Sequence, residues 1–336
     1  MAKGTASRLV KFDEDPKKAV QFDENVEWDA PREDEVLIKV VAAGINMADV
    51  KQAGGLMPFV KTPIITGRDY CGVVEEGPSD LIGKHVFGTG GPLGYLCDGS
   101  HAQYLKIPVA DVALKPDALT PEQAGTLGVP FFTAYLAVVT QGRVKEGDVV
   151  AVPGATGFVG RSALMIAKAM GATTIAMTRR DIGDSLPYAD HVLCTKDLEE
   201  DDILAKLREL GRPGQIGVDL FVDTVGGDMC SRGIAAIGKF GRVCTMAAPS
   251  PAAMSSFSTF EFYRKQGTIS GVNTLMVADG ICGTIMRDLS ALFDQGKLEP
   301  LPVAEQTFTL KDYAEALALV GSGKIRDRVA LLPWKE

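Results

Sequence analysis

The stretch Asp148-Val149-Val150-Ala151-Val152-Pro153-Gly154-Ala155-Thr156-Gly157-Phe158-Val159-Gly160, followed by Arg161 to Met170, decides the fold. An apolar β run leads into a glycine turn and then into a helix-forming segment. The glycines are there for physical reasons. Gly157 lets the backbone approach a pyrophosphate, and Gly160 lets helix pack closely on strand. The helix N-terminus adds free N–H groups and the positive end of its dipole. Ala155 stands where G-x-G-x-x-G has its first glycine, so strand and helix context carry the motif. The turn predicts dinucleotide binding by Gly154, Ala155, Thr156, Gly157, Phe158, Val159 and Gly160.

Downstream of this turn, short β runs alternate with helical segments. The runs are Val149–Val152, Thr173–Met177, His191–Cys194, Val218–Val222, Arg242–Met246 and Thr268–Val272. Six strands in a parallel α/β pattern predict a complete doubly wound domain. The chain upstream instead shows short β-prone pieces broken by Gly44, Gly54, Gly55, Gly72, Gly83, Gly88, Gly90 and Gly91. That pattern predicts a small β-barrel. The expected organisation is a first barrel part over 1–126, a Rossmann domain over 127–272, and a segment over 273–336 that returns to the barrel.

After the second Rossmann strand come Thr178-Arg179-Arg180, with the first acid, Asp181, set back. An acid there would bind the ribose diol of NAD, whereas arginines offer forked, permanently charged donors to a 2′-phosphate. NADPH is therefore the predicted cofactor, with the Thr178 hydroxyl as a further donor; the alternative is that the arginines are solvated surface charges.

Composition narrows the class. Of 336 residues, 35 are basic and 43 acidic, for a formal net charge of −8. An acidic chain is a poor match for nucleic acid. The longest apolar stretch, Val129 to Val139, is about half of the roughly 20 residues that a membrane span needs, and it contains Pro130. The N-terminus lacks the apolar centre of a secretory signal. Six scattered cysteines form no Cys-x-x-Cys pair, and reduced thiols in the cytoplasm are expected. The three histidines, His85, His101 and His191, have no spacing suited to a shared metal.

Several segments, taken in order, resemble the medium-chain dehydrogenase/reductase superfamily, and within it the zinc-independent quinone oxidoreductase and enoyl reductase branch. They are Gly44-Ile45-Asn46-Met47-Ala48-Asp49, Gly67-Arg68-Asp69-Tyr70-Cys71-Gly72, Gly83-Lys84-His85-Val86-Phe87-Gly88, Gly99-Ser100-His101-Ala102-Gln103-Tyr104, Thr133-Ala134-Tyr135, the glycine turn, and Asp223-Thr224-Val225-Gly226-Gly227. The resemblance implies an α/β fold in which a GroES-like β-barrel catalytic domain carries an inserted six-stranded Rossmann domain. It places Asn46 and Thr133 beside the nicotinamide and adds Val225 and Asn273 to the cofactor contacts. The segment ending at Asn273 also pairs across a dimer axis in relatives, so a homodimer is expected.

The zinc branch of that superfamily has its catalytic ligands at positions matching Asn46, Arg68 and Val129. Amide, guanidinium and isopropyl groups are not zinc donors, so no metal is expected. The branch's relay hydroxyl falls at Ala48, and its four-cysteine lobe is reduced to Cys97. Without a metal to hold alkoxide charge, a conjugated acceptor is favoured, because an enolate or hydroquinone spreads the charge itself. The expected activity is NADPH-dependent reduction of a quinone or an α,β-unsaturated carbonyl compound. The alternatives are reduction of a C=N bond or specialised biosynthetic intermediate, or nucleotide binding with little turnover. Asn46 is the candidate that orients the substrate, or else a turn residue. Arg68 either stabilises developing charge or forms a salt bridge with Asp49 or Asp69. Asp49 is read as a helix cap, and Lys324 to Arg328 as a charged surface turn.

Overall fold

A computed structural model describes every residue except 184, 185, 213, 215 and 336. The chain forms two compact units, one of Met1–Phe132 with Thr274–Glu336 and the other of Thr133–Asn273.

The second unit is built on a parallel sheet. Its strands lie in the order His191–Cys194, Thr173–Thr178, Val149–Pro153, Val218–Asp223, Ile237–Thr245 and Thr268–Gly271. The first strand in the chain is third in the sheet, and the direction of progression reverses beside it, which makes the sheet doubly wound. Val149–Pro153 is buried along its whole length, as an unbroken apolar run at the centre of a parallel sheet should be. The fifth strand starts at Ile237 rather than Arg242. Phe240 there takes a φ of 58°, a left-handed conformation that breaks the β pattern in the sequence.

Helix Phe158–Ala169 follows the glycine turn and buries Ala163, Leu164, Ile166 and Ala167. A Cβ on Gly160 would lie 2.4 Å from the Gly154 carbonyl oxygen and 2.9 Å from Ala155 Cα, so this position requires glycine.

The first unit is organised around strand Glu35–Ile45, which pairs antiparallel with Asp69–Glu76, Tyr104–Pro108 and Val329–Leu331. Two registers matter for the site. Gly44 faces Asp69, and Ile45 faces Val329. The residues just beyond those pairs, Asn46 on one strand and Arg328 on the other, are thereby brought side by side. Val36, Ile38, Val40, Tyr70, Val86, Leu105, Val329 and Leu331 fill the interior between the strands.

Candidate functional site

Asn46 ends the hub strand and caps helix Met47–Ala53. Its backbone N–H donates to Asp49 Oδ2 at 2.7 Å, so Asp49 holds the cap from the third helical position. The Asn46 side chain turns the other way and is buried. Its Nδ2 donates to Asp69 Oδ2 at 2.9 Å, and its Oδ1 accepts from Arg328 Nη2 at 2.7 Å. The amide is therefore fixed at both ends, with no freedom to flip.

Asp69 gathers the surrounding backbone. Its Oδ1 accepts from the Val129 N–H at 2.7 Å, and its Oδ2 lies 3.3 Å from Arg328 Nη2. Arg328 also donates from Nε to the Thr126 carbonyl at 2.6 Å. Burial pushes the Asp69 carboxyl up and the Arg328 guanidinium down, and each opposes the other's shift through its charge. The expectation for Arg328 is corrected here. Lys324 and Arg326 are exposed, but Arg328 is only 3% exposed and is the ion partner of Asp69. Its strand register sends it inward.

Arg68 is buried at 2% exposure. Its Nη1 donates to Thr274 Oγ1 at 2.7 Å, and its Nη2 donates to the Gly91 and Thr274 carbonyls, each at 3.1 Å. The guanidinium carbon lies 4.7 Å from the centre of the Tyr95 ring, which it faces as a cation–π partner. Neither Asp49 nor Asp69 forms a direct ion pair with it among the described residues.

In the second unit the glycine turn is ordered by the neighbouring turn. Gly154 has a φ of 68°, and a Cβ there would lie 2.5 Å from Thr224 Oγ1, which itself donates to the Pro153 carbonyl at 2.7 Å. Buried Asp223 accepts from the N–H groups of Val225 at 3.0 Å and Gly226 at 2.8 Å. Val225 presents its side chain outward at 41% exposure. Gly157 is exposed at the helix N-cap, and a Cβ there would meet only the Gly154 carbonyl, at 3.3 Å. Closed packing at Gly160 and an open N-cap at Gly157 fit a pyrophosphate seated on the first helical turn.

The arrangement has known counterparts. Residues 32–117 match the family described as alcohol dehydrogenase GroES-like domain, and residues 188–331 match the one described as zinc-binding dehydrogenase. A zinc-type alcohol dehydrogenase-like protein of Schizosaccharomyces pombe is 34% identical over 284 residues, covering 83% of this chain and 82% of its own. The chain belongs to the medium-chain dehydrogenase/reductase superfamily. Another relative is an acryloyl-coenzyme A reductase of Sulfurisphaera tokodaii, 26% identical over 334 residues, with 91% of this chain and 94% of that one covered. Escherichia coli quinone oxidoreductase complexed with NADPH has the same fold, with a TM-score of 0.79 at 22% identity, covering 98% of this chain and 100% of that one.

As a member of this superfamily the chain is an oxidoreductase with a GroES-like unit and a doubly wound dinucleotide-type unit. Its donor set at the zinc-ligand positions does not suit zinc. The Asn46 oxygen already accepts from a guanidinium, Arg68 is itself a cation, and Val129 brings only a backbone N–H to Asp69. No group of three or more His, Cys, Asp or Glu able to hold a metal occurs among the described residues.

Of the other residues singled out in the sequence, Thr133 is buried in helix Gly128–Tyr135. Arg179 and Arg180 are both exposed just past strand Thr173–Thr178. The Thr178 hydroxyl donates to the Arg180 carbonyl at 2.7 Å, so its hydrogen shapes the arginine loop instead of pointing outward to a ligand. Asn273 is exposed, two residues beyond strand Thr268–Gly271. The sequence reading missed Arg328 and gave Asp69 no role beyond that of a partner for Arg68. The only available signal was Arg328's place immediately before the apolar run Val329–Leu331.

Proposed function

We propose that the protein is an NADPH-dependent, zinc-independent reductase of conjugated acceptors, either quinones or α,β-unsaturated carbonyl compounds. The observation that carries this reading is the exchange of metal donors for a fixed amide and a buried cation at Asn46 and Arg68. Such a set cannot bind Zn²⁺, yet it provides donors and positive charge where reduction makes an anion.

NADPH would be held by Gly154, Ala155, Thr156, Gly157, Phe158, Val159 and Gly160 at its pyrophosphate, by Arg179 and Arg180 at its 2′-phosphate, and by Thr133, Val225 and Asn273 toward the nicotinamide. When bound, it supplies the hydride. The protein's own part is positioning and electrostatics. Asn46, locked by Asp69 and Arg328, offers its remaining amide hydrogen in one fixed direction. Arg68 adds a charge that needs little reorganisation, because Gly91, Thr274 and Tyr95 already hold it. The acryloyl-coenzyme A reductase and quinone oxidoreductase relatives support the acceptor class.

A homodimer in the cytoplasm completes the reading. The short strand Thr268–Gly271 is an edge of the sheet and is largely exposed, and all six cysteines are free thiols. No helix among the described residues is long and apolar enough to cross a membrane.

The deciding experiment is oxidation of NADPH and NADH against a panel of quinones, small enones and enoyl thioesters, with metal content measured in the same preparation. NADPH should be preferred, and the Arg179→Ala, Arg180→Ala double variant should abolish the preference. Stoichiometric zinc whose chelation stops turnover, or tight NADPH binding with no acceptor reduced, would overturn the reading.

A further inference from the structure

Trp334 is one of two tryptophans in the chain, and it is left 40% exposed. Indoles are highly buried on average, so one that is held open calls for a reason. The ring is not loose. Tyr104 meets it edge-on, with centroids 5.5 Å apart, and the Lys39 ammonium stands 4.2 Å from the ring centre. The indole lines a cavity of about 670 Å³ whose lining residues all belong to the first unit. That volume falls within the range of about 300–1,000 Å³ usual for small-molecule sites.

The cavity is assembled from parts far apart in the sequence. Strand Val20–Trp28, paired antiparallel with Ala2–Leu9, contributes Phe22 and Glu24, while Lys311, Trp334 and Lys335 come from the C-terminal part of the chain. Gln103 ties these parts together. Its Oε1 accepts from the Thr5 N–H at 3.1 Å, and its Nε2 donates to the Pro333 carbonyl at 3.1 Å. Gly4 makes room for it, because a Cβ there would lie 2.5 Å from Gln103 Oε1. Walls fixed in this way spare a ligand part of the ordering cost of binding.

Two features define the occupant. Phe22 and Trp334 offer ring surface to a flat apolar group. Lys311 and Lys335 offer positive charge. The Lys311 ammonium stands 5.3 Å from the Phe22 ring centre and 3.9 Å from Glu24 Oε1, beyond hydrogen-bond reach, so its donors are unspent. Lys335 gives one N–H to Thr307 Oγ1 at 3.0 Å and keeps two. Two lysines against one glutamate leave the lining with a net charge of +1, and Lys39 beside the indole adds to it. A cation is repelled, and a neutral ring leaves the ammonium donors unused. We propose that this cavity is a second ligand site, for a flat aromatic compound carrying one anionic group such as a carboxylate or sulfonate. The inference goes beyond the reductase reading and does not depend on it. Lys39 lies on the strand whose end carries Asn46, roughly 20 Å away at about 3.3 Å per residue, so a ligand held here is separate from the Asn46–Arg328 network.

The probe is anilinonaphthalene sulfonate, an aromatic anion, titrated into the full chain with NADP⁺ in excess and compared with phenylnaphthylamine, the same ring system without the sulfonate. The sulfonate should bind one per chain, quench tryptophan emission, and bind about tenfold more tightly than the neutral compound, the worth of two partly exposed charge contacts. The Lys311→Gln, Lys335→Gln double variant should erase that preference, and Trp334→Leu should weaken both compounds about tenfold. Both lysines are exposed, so the double variant should melt with the wild type, and the comparison of the two compounds in the wild type needs no variant at all. Equal wild-type affinity for the two, or a preference that survives the double variant, overturns the site. So does a sulfonate that NADP⁺ displaces, because it then sits at the nucleotide turn, and so does the lack of saturable binding. Each of these outcomes leaves the reductase reading standing, since NADPH oxidation is measured separately.

Discussion

Arg328→Met is the sharpest test of how the site is held. The substitution keeps the aliphatic stem and removes the charge. It leaves the Thr126 carbonyl without its 2.6 Å donor and the Asn46 oxygen without its 2.7 Å donor. Each lost partner inside the protein costs about 1–3 kcal/mol. Asp69 also loses its countercharge 3.3 Å away while keeping the hydrogen bonds from Asn46 and Val129. Breaking one side of a buried pair typically costs about 3–5 kcal/mol, and because the two accounts overlap, that range is the expected total. Guanidinium chloride unfolding followed by tryptophan fluorescence suits the assay, since Trp28 and Trp334 both lie in the first unit. The Arg328→Met, Asp69→Asn double variant should lose clearly less than the sum of the two single losses, because it buries no unpaired charge. A loss below about 1 kcal/mol for Arg328→Met alone would refute the buried network as the element that fixes Asn46.

Three further outcomes are expected. Gly160→Ala should lower the melting temperature, because its Cβ meets backbone at 2.4 Å, whereas Gly157→Ala should melt close to the wild type and yet bind NADPH more weakly in a fluorescence titration. His101, pushed down to about 4 by burial, stays neutral in the fold, so it destabilises the protein as pH falls from 6.5 toward 4; His101→Gln should flatten that slope in chemical denaturation. Asp49, raised from 3.8 to about 6, acts in the opposite sense: the stability it contributes is fully present below 3.8 and lost as pH rises through 6, so Asp49→Asn should steepen the acid loss that His101→Gln relieves.

What could be read from the sequence was local. The strand–turn–helix at Val149 to Ala169 and the six β runs follow from period, glycine and length, and the sheet contains all six. The fifth strand was misread at its start because a left-handed Phe240 hides β structure from any propensity argument. Asn46 and Arg68 stood out because of the residue types they replace, but their partners did not. The Asn46–Arg328 bond spans 282 positions, and it arises from an antiparallel register that no nearby residue encodes. A run containing two exposed cations, Lys324 and Arg326, reads as solvated surface, and the third member was concealed among them. Orphaned atoms such as Arg68 Nε are invisible to sequence altogether, since only coordinates show which hydrogen bonds are missing.

That 282-position separation has a consequence for biogenesis. On the ribosome, Asp69 and Asn46 emerge early, and all of Thr133–Asn273 is made before the cation that neutralises Asp69 and donates to the Asn46 amide oxygen. The contiguous middle unit can collapse during translation, but the flanking one stays electrostatically incomplete until its closing strand arrives. A nonsense or frameshift product ending before Arg328 would therefore hold an unmatched anion at its heart, a fault that proteolytic surveillance could detect while the rest of the polypeptide looked sound.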